Sequence, residues 1–270
     1  MNDILQEIVA HKRLEIERQK EAVKMRTLLH LSGDQLERPT VSMRAALEAS
    51  PSGIIAEFKR KSPSKGWLHP DAAVAEIIPS YEANGAAACS VLTDGKFFGG
   101  SLRDLQEARS LVKLPLLRKD FIIDDYQLYQ ARVMGADAVL LIAACLEEEQ
   151  CLSLAKTAHS LGLEVLLEIH SVEETAYINS YIDMLGVNNR NLGTFHTDTA
   201  NSLRLVSAMT AAMSEKNLFP LLVSESGLSS PEIVQQLREL GFRGFLIGET
   251  FMKEALPGAA LSHLIKQLLC

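Results

Sequence analysis

The chain has 270 residues, 47% hydrophobic and 23% charged, with a formal net charge of −7. That length suits one large α/β domain, because eight-stranded βα barrels run to about 250 residues, and it supplies enough apolar mass for a sizeable core. The acidic balance argues against general affinity for nucleic acid or a membrane surface, so any bound anion must be held by a local basic pocket.

Residues 1–50 read mostly as helix: Ile4, Ile8, Leu14 and Ile16, then Leu28, Leu29 and Leu31, recur among charges, with a break at Ser32-Gly33-Asp34. Charges at Asp3, Glu7, Lys12, Arg13, Glu15 and Glu17 leave neither a signal-type apolar core nor a spanning segment there, which predicts a cytoplasmic protein. We take this stretch as an N-terminal helical extension packed on a single catalytic domain over residues 51–270. Cys89, Cys145, Cys151 and Cys270 show no C-x-x-C spacing and read as reduced core or surface thiols.

From residue 54 the rhythm changes to short apolar runs alternating with longer helix-period segments. Eight runs are expected as strands: 54–58, 88–92, 116–119, 138–142, 164–168, 184–187, 221–224 and 244–247. Their starts lie about 20 to 37 residues apart, the length of a βα unit. Gly85, Gly135, Gly162 and Gly241 each stand where a helix should stop before the next strand. A weak echo between the segments opening at Pro115-Leu116-Leu117 and Pro220-Leu221-Leu222 has the four-unit offset of a duplicated half-barrel. No G-x-G-x-x-G follows the first run, which disfavours a dinucleotide-binding fold. The expected fold is a (β/α)8 TIM barrel with an N-terminal helical extension.

Active sites of such barrels lie at the C-terminal strand ends, and here those ends are rich in reactive groups. The first run breaks from Ile54-Ile55-Ala56 into Glu57-Phe58-Lys59, and period-two alternation puts Ile55, Glu57 and Lys59 on one face. Lys119 ends the third run, Glu168 the fifth, Asn188 and Arg190 follow the sixth, and Glu225 and Ser226 follow the seventh. Polar residues are common where strands reach the surface. Two lysines and three glutamates on one rim, however, demand mutual pairing or a ligand.

Two turns indicate a phosphate on that ligand. Ser226-Gly227-Leu228-Ser229-Ser230-Pro231 follows strand seven, with Ser230 as N-cap and Pro231 at the first helical position, and Gly248-Glu249-Thr250 follows strand eight. Backbone N–H groups there either cap helices or cradle a phosphate. The basic stretch from Arg60 to Pro70 has the Pro and Gly content of a closing loop. Phe97 and Phe98 offer either an aromatic wall for a substrate or a cover for the barrel top.

These motifs together resemble the indole-3-glycerol-phosphate synthase family. The matching segments, collinear from residue 54 to about 252, are Ile55–Ser64 (IAEFKRKSPS), Ser90-Val91-Leu92-Thr93 with Phe98-Gly99-Gly100-Ser101, Leu117-Arg118-Lys119-Asp120-Phe121-Ile122, 135–142 (GADAVLLI), Glu168-Ile169-His170, 186–192 (GVNNRNL) and Ser224-Glu225-Ser226-Gly227. The resemblance implies a phosphorylated substrate, 1-(2-carboxyphenylamino)-1-deoxyribulose 5-phosphate, and neither metal nor organic cofactor. It makes Lys119 the general acid of ring closure, Glu168 the acid or base of dehydration, and Lys59 the partner of the substrate carboxylate. Glu57 and Asn188 become positioning groups, and Ser226 joins the catalytic set. Arg190 and Glu225 complete the polar shell, Phe98 and Leu140 meet the substrate, and Gly227, Gly248 and Glu249 hold its phosphate with Lys61 and Ser62 nearby. Only the backbone N–H of Glu249 is expected to face the ligand. A monomer without nucleic-acid or membrane partners is expected. A Schiff-base aldolase using Lys59 or Lys119, or a phosphate-sensing module without turnover, are the rival readings.

Overall fold

All eight apolar runs are strands in the computed structural model, which describes residues 4–31, 33–190 and 200–270. They are β1 (Ile54–Phe58), β2 (Ala88–Leu92), β3 (Leu116–Lys119), β4 (Ala138–Ile142), β5 (Glu164–Ile169), β6 (Met184–Asn188), β7 (Leu221–Glu225) and β8 (Gly244–Ile247). Strands β5, β6 and β7 run one residue past the expected ends. Neighbours in chain order pair in parallel, and β1 pairs with both β2 and β8, closing the barrel.

Alternation along each strand sorts the core into two shells. Ile54, Ala56 and Phe58, with Cys89, Val91, Val139, Leu141, Val165 and Leu167, pack outward against the helices. Ile55, Leu117, Leu140, Ile142, Leu166, Met184, Val223 and Leu246 fill the interior. The helix stops behave as expected: Gly135 sits at φ +92, where a side chain would be strained, and the next amide, Ala136 N–H, bonds back to Ala131 O. Ser230 and Pro231 take the N-cap and first helical positions of the helix Pro231–Glu239, although the Ser230 side chain makes no capping bond. Unit five departs from the pattern, since β5 is followed by a five-residue 3₁₀ turn, Glu173–Tyr177, where the other described units carry an α-helix. All four cysteines are free thiols, and burial pushes that of Cys151 up to about 12.

Among the described residues four helices precede the barrel: α1 (Ile4–Ala22), α2 (Met25–Leu31), α3 (Gly33–Glu37) and α4 (Met43–Ala49). They serve opposite ends. Met43 and Leu47 of α4 join the interior shell near Gly244, the first residue of β8, and Ser42 and Arg44 N–H bond Glu164 at the start of β5. Helix α4 therefore plugs the N-terminal end. Helix α1 lies at the catalytic end, where Ile8 packs with Phe97 and Phe121 in the same shell and Lys12 reaches Asp94 and Asp120 beyond β2 and β3. Among the described residues no helix is long and apolar enough to cross a membrane.

Candidate active site

Strand parity carries Glu57, Lys119, Glu168, Asn188 and Glu225 to the interior-facing ends of β1, β3, β5, β6 and β7, around a cavity of about 700 Å³. Lys119 is at its centre. Its Nζ lies 3.4 Å from Glu225 Oε2 and 3.5 Å from Glu168 Oε2, while Lys59 Nζ donates to Glu57 Oε1 at 2.5 Å.

Five ionisable groups packed this closely, three of them buried carboxyls, are stable only as a set. Burial favours a neutral Lys119, but Glu225, Glu168 and Glu57 together hold it protonated well above the ordinary lysine range. Burial likewise pushes Glu57 towards its acid form, and the ammonium groups of Lys59 and Lys119 reverse that, holding it below the usual carboxylate range. Glu168 is also held low, because Lys119 and His170 outweigh its desolvation. Glu225 goes the other way: burial, reinforced by the negative charges of Glu168 and Glu57, exceeds the pull of Lys119 and raises it.

Two glycines make room for these carboxylates. A Cβ on Gly248 would meet Glu57 Oε1 at 2.3 Å, and one on Gly186 would meet Glu225 Oε1 at 2.5 Å. A side chain at either place would force the facing carboxylate to move.

The mouth of the cavity is built from loops. Arg190 donates from its backbone N–H to Asn188 Oδ1 at 3.0 Å, and its guanidinium reaches Ser64 Oγ at 3.1 Å and Glu249 Oε2 at 2.8 Å. Ser226 and Gly227 are consecutive residues at φ +68 and +75, the first an uncommon conformation for a residue with a Cβ. Thr250 Oγ1 bonds Leu228 O at 3.1 Å, tying the turn after β7 to the turn after β8. The Arg60–Pro70 stretch contains a small antiparallel hairpin, Lys61–Ser62 with Gly66–Trp67, anchored where the Arg60 guanidinium pairs with Asp104 at 2.8 and 2.9 Å. The two readings of the phenylalanines divide between them. Phe97 is buried against His11 as cover, whereas Phe98 lines the cavity and packs 6.0 Å from Phe121.

Thirteen of the fifteen residues singled out from the sequence line this one cavity: Glu57, Lys59, Phe98, Lys119, Leu140, Glu168, Asn188, Arg190, Glu225, Ser226, Gly227, Gly248 and Glu249. Lys61 and Ser62 do not. The Lys61 ammonium lies over Trp67 and donates to Lys96 O, and Ser62 Oγ accepts from Lys65 N–H. Ser64, Lys65, Asp120, Phe121, Ile142 and Lys253 also line the cavity outside the expected set, and the basic loop is the sequence signal that points to Lys65. Asn191 and Leu192 of the quoted motif lie outside the described residues. A second buried cluster had no sequence signal: Lys12 Nζ is 2.9 Å from each of Glu15 Oε2, Asp94 Oδ2 and Asp120 Oδ1. His170 of the Glu168-Ile169-His170 motif lies outside the expected site set, yet its Nε2 lies 3.3 Å from Glu168 Oε1.

A closed parallel barrel with acid–base groups gathered at its C-terminal strand ends, beside turns in the phosphate position, defines a (β/α)8-barrel enzyme for a small anionic substrate. The family model for indole-3-glycerol phosphate synthase matches residues 5–264. The indole-3-glycerol phosphate synthase of Bacteroides thetaiotaomicron is 58% identical over 99% of this chain and 100% of that protein, and that of a Polaromonas species is 43% identical over 98% of each. The chain belongs to the indole-3-glycerol phosphate synthase family. Its fold is also that of a tryptophan synthase alpha-subunit mutant from Pyrococcus furiosus, with a TM-score of 0.59 at 14% identity over 81% of this chain and 98% of that one.

Proposed function

We propose that the chain converts 1-(2-carboxyphenylamino)-1-deoxyribulose 5-phosphate to indole-3-glycerol phosphate, carbon dioxide and water in tryptophan biosynthesis, with Lys119 as the proton donor of ring closure. The observation that carries this reading is a largely buried ammonium between two carboxylates, in a cavity that Phe98 also lines. The ring carbon bearing the carboxylate attacks the carbonyl carbon, the C=O electrons move to oxygen, and that oxygen takes a proton from Lys119. Glu225, raised by burial and 3.4 Å from Lys119 Nζ, holds a proton to replace it. Carbon dioxide then leaves, and its bonding electrons restore the aromatic ring. In the last step the hydroxyl departs as water with a proton from Lys59, while Glu168, held as a carboxylate, takes the ring-side proton.

In this reading Lys59 first meets the substrate carboxylate, and Glu57 and Asn188 hold the substrate hydroxyls and the lysines in place. The phosphate lies at Ser226, Gly227, Gly248 and Glu249, receiving backbone N–H groups there, with Lys65, Lys253 and Arg190 as nearby cations. The Glu249 carboxylate is turned to Arg190, which keeps its charge engaged. Lys61 and Ser62 act as supports of the loop.

A Schiff-base lysine must be neutral to attack, and the carboxylates around Lys119 oppose that state. Borohydride capture of a carbonyl substrate on Lys59 or Lys119 would support the aldolase reading instead. The direct test is addition of the carboxyphenylamino-deoxyribulose phosphate: growth of indole fluorescence with release of CO₂ is expected, and its absence overturns the reading. We extend the reading to a monomeric, cytoplasmic enzyme that works without metal or organic cofactor. Sedimentation and undiminished turnover in chelator check the assembly state and the metal independence.

A further inference from the structure

Two carboxylates compete for Lys119 at nearly equal distance, Glu225 at 3.4 Å and Glu168 at 3.5 Å, and both are buried. Lys119 alone therefore does not decide which of them carries a proton. The asymmetry comes from beyond the cavity. His170, just after the end of β5, is not among the cavity-lining residues, and its Nε2 lies 3.3 Å from Glu168 Oε1. The other side of the imidazole faces Glu174, with Nδ1 3.6 Å from Oε2, and the same carboxylate oxygen accepts the His170 backbone N–H at 2.5 Å.

Unit five is the one whose α-helix is replaced by a 3₁₀ turn, and Glu174 is the second residue of that turn. The shortened connection thus returns an acidic side chain to the imidazole immediately after the strand. We propose that His170 is a positioning residue whose imidazolium, anchored by Glu174, assigns the ionised state to Glu168 and leaves the proton on Glu225.

The groups facing this pair are few. Glu168 sees Lys119 from β3, His170 beyond β5 and the Asn188 amide from β6, with Glu225 on β7 as its acidic neighbour. His170 sees Glu168 and Glu174, which overcome its burial and push it up to about 10. An imidazolium is therefore present across the neutral range. Among the described residues Glu225 pairs with Lys119, with Glu168 and Glu57 opposing its ionisation. The chemical consequence is a division of labour: Glu168 is free to accept a proton in dehydration, and Glu225 is able to return one to Lys119.

The inference rests on the proposed reaction, and its tests separate the two. By ¹⁵N NMR of the wild-type chain, His170 should remain doubly protonated at pH 8, and Glu174→Gln should bring its titration down. A neutral imidazole at pH 7 in the wild type overturns the inference whether or not any variant folds. In His170→Gln, Glu168 loses a cation, its acid form persists to higher pH, and the acid limb of kcat should move upward by about one pH unit, with KM unchanged. A merely structural role would lower kcat at every pH without moving the limb. An unmoved limb in an active wild-type background overturns the inference, whereas a wild-type chain that fails to turn the substrate over overturns the functional reading itself.

Discussion

Replacing Lys12 with methionine should cost about 3–5 kcal/mol of stability, the usual penalty for removing one partner of a buried ion cluster. The side chain is 1% exposed, and its ammonium is shared by Glu15, Asp94 and Asp120. Burial favours a neutral amine, but those three acids hold Lys12 protonated above its ordinary range. The two buried acids do not suffer equally when it goes. Asp120 keeps Arg118 at 2.9 Å, Thr93 Oγ1 at 2.6 Å and the Phe121 N–H at 2.9 Å. Asp94 keeps the Phe97 N–H on Oδ1, while its Oδ2 has Lys12 alone at hand. Most of the cost thus falls on Asp94, and Lys12→Met with Asp94→Asn should recover more than half of it, because asparagine caps the short helix Gly95–Phe98 almost as well. Urea unfolding at pH 7.5 reads the effect, and the melting temperature of the single variant should fall by roughly 10 °C. A loss below about 1 kcal/mol, or a double variant no more stable than the single one, would refute the assignment of the cost to an unpaired Asp94.

Lys119→Ala should lower kcat by about 10²- to 10⁴-fold with little change in KM, and retention of more than about a tenth of wild-type kcat removes Lys119 as the principal acid. Gly248→Ala places a Cβ 2.3 Å from Glu57 Oε1, so it should displace Glu57 from Lys59 and reduce kcat at least tenfold while the chain remains folded by circular dichroism. Full activity in that variant would show that the Glu57 position is not critical. Glu225 has a folded-state pKa raised by burial, so its ionisation opposes folding above about pH 4.3, where the unfolded chain releases the proton, and the penalty grows until the folded group ionises. Glu225→Gln should therefore raise the melting temperature at pH 8 and lose that advantage at pH 4, and an equal gain at both values would contradict the raised pKa.

The strands were legible because parallel barrel strands are buried on both faces and stand out as short branched-apolar runs between helical segments. Their ends were readable because charges at the interior parity, such as Glu57 after Ile55 and Lys119 after Leu117, break the apolar pattern. Boundary differences are confined to β5, β6 and β7, where Ile169, Asn188 and Glu225 each extend the strand one residue past the expected ends at Glu168, Val187 and Ser224. The 3₁₀ turn of unit five had a sequence signal in its spacing: β5 and β6 start 20 residues apart, the shortest interval between successive strands, which leaves little room for a full helix. Lys12 looked like one more solvated charge on an amphipathic helix, since nothing local marks its burial against acids that follow β2 and β3. Ser226 gave no hint of its positive φ, because serine is an ordinary turn residue and its strain is imposed by the site.

The acids at this end of the barrel are answered one by one, and α1 takes part in that balance. Glu57, Glu168 and Glu225 gather three acidic groups around Lys119, an arrangement that repels itself unless each acid has a cation or a proton. Lys59 answers Glu57, His170 answers Glu168, and the proton retained on Glu225 answers the third. The chain segment following Lys119 begins with Asp120, a fourth buried acid, and it is answered from both sides, by Arg118 within β3 and by Lys12 from α1. Without α1, Asp94 and Asp120 lose the Lys12 ammonium they share, and the Arg118 guanidinium remains on Asp120. The N-terminal helix therefore stabilises the very strand end that presents the proposed proton donor, linking the charge balance of the extension to the placement of Lys119.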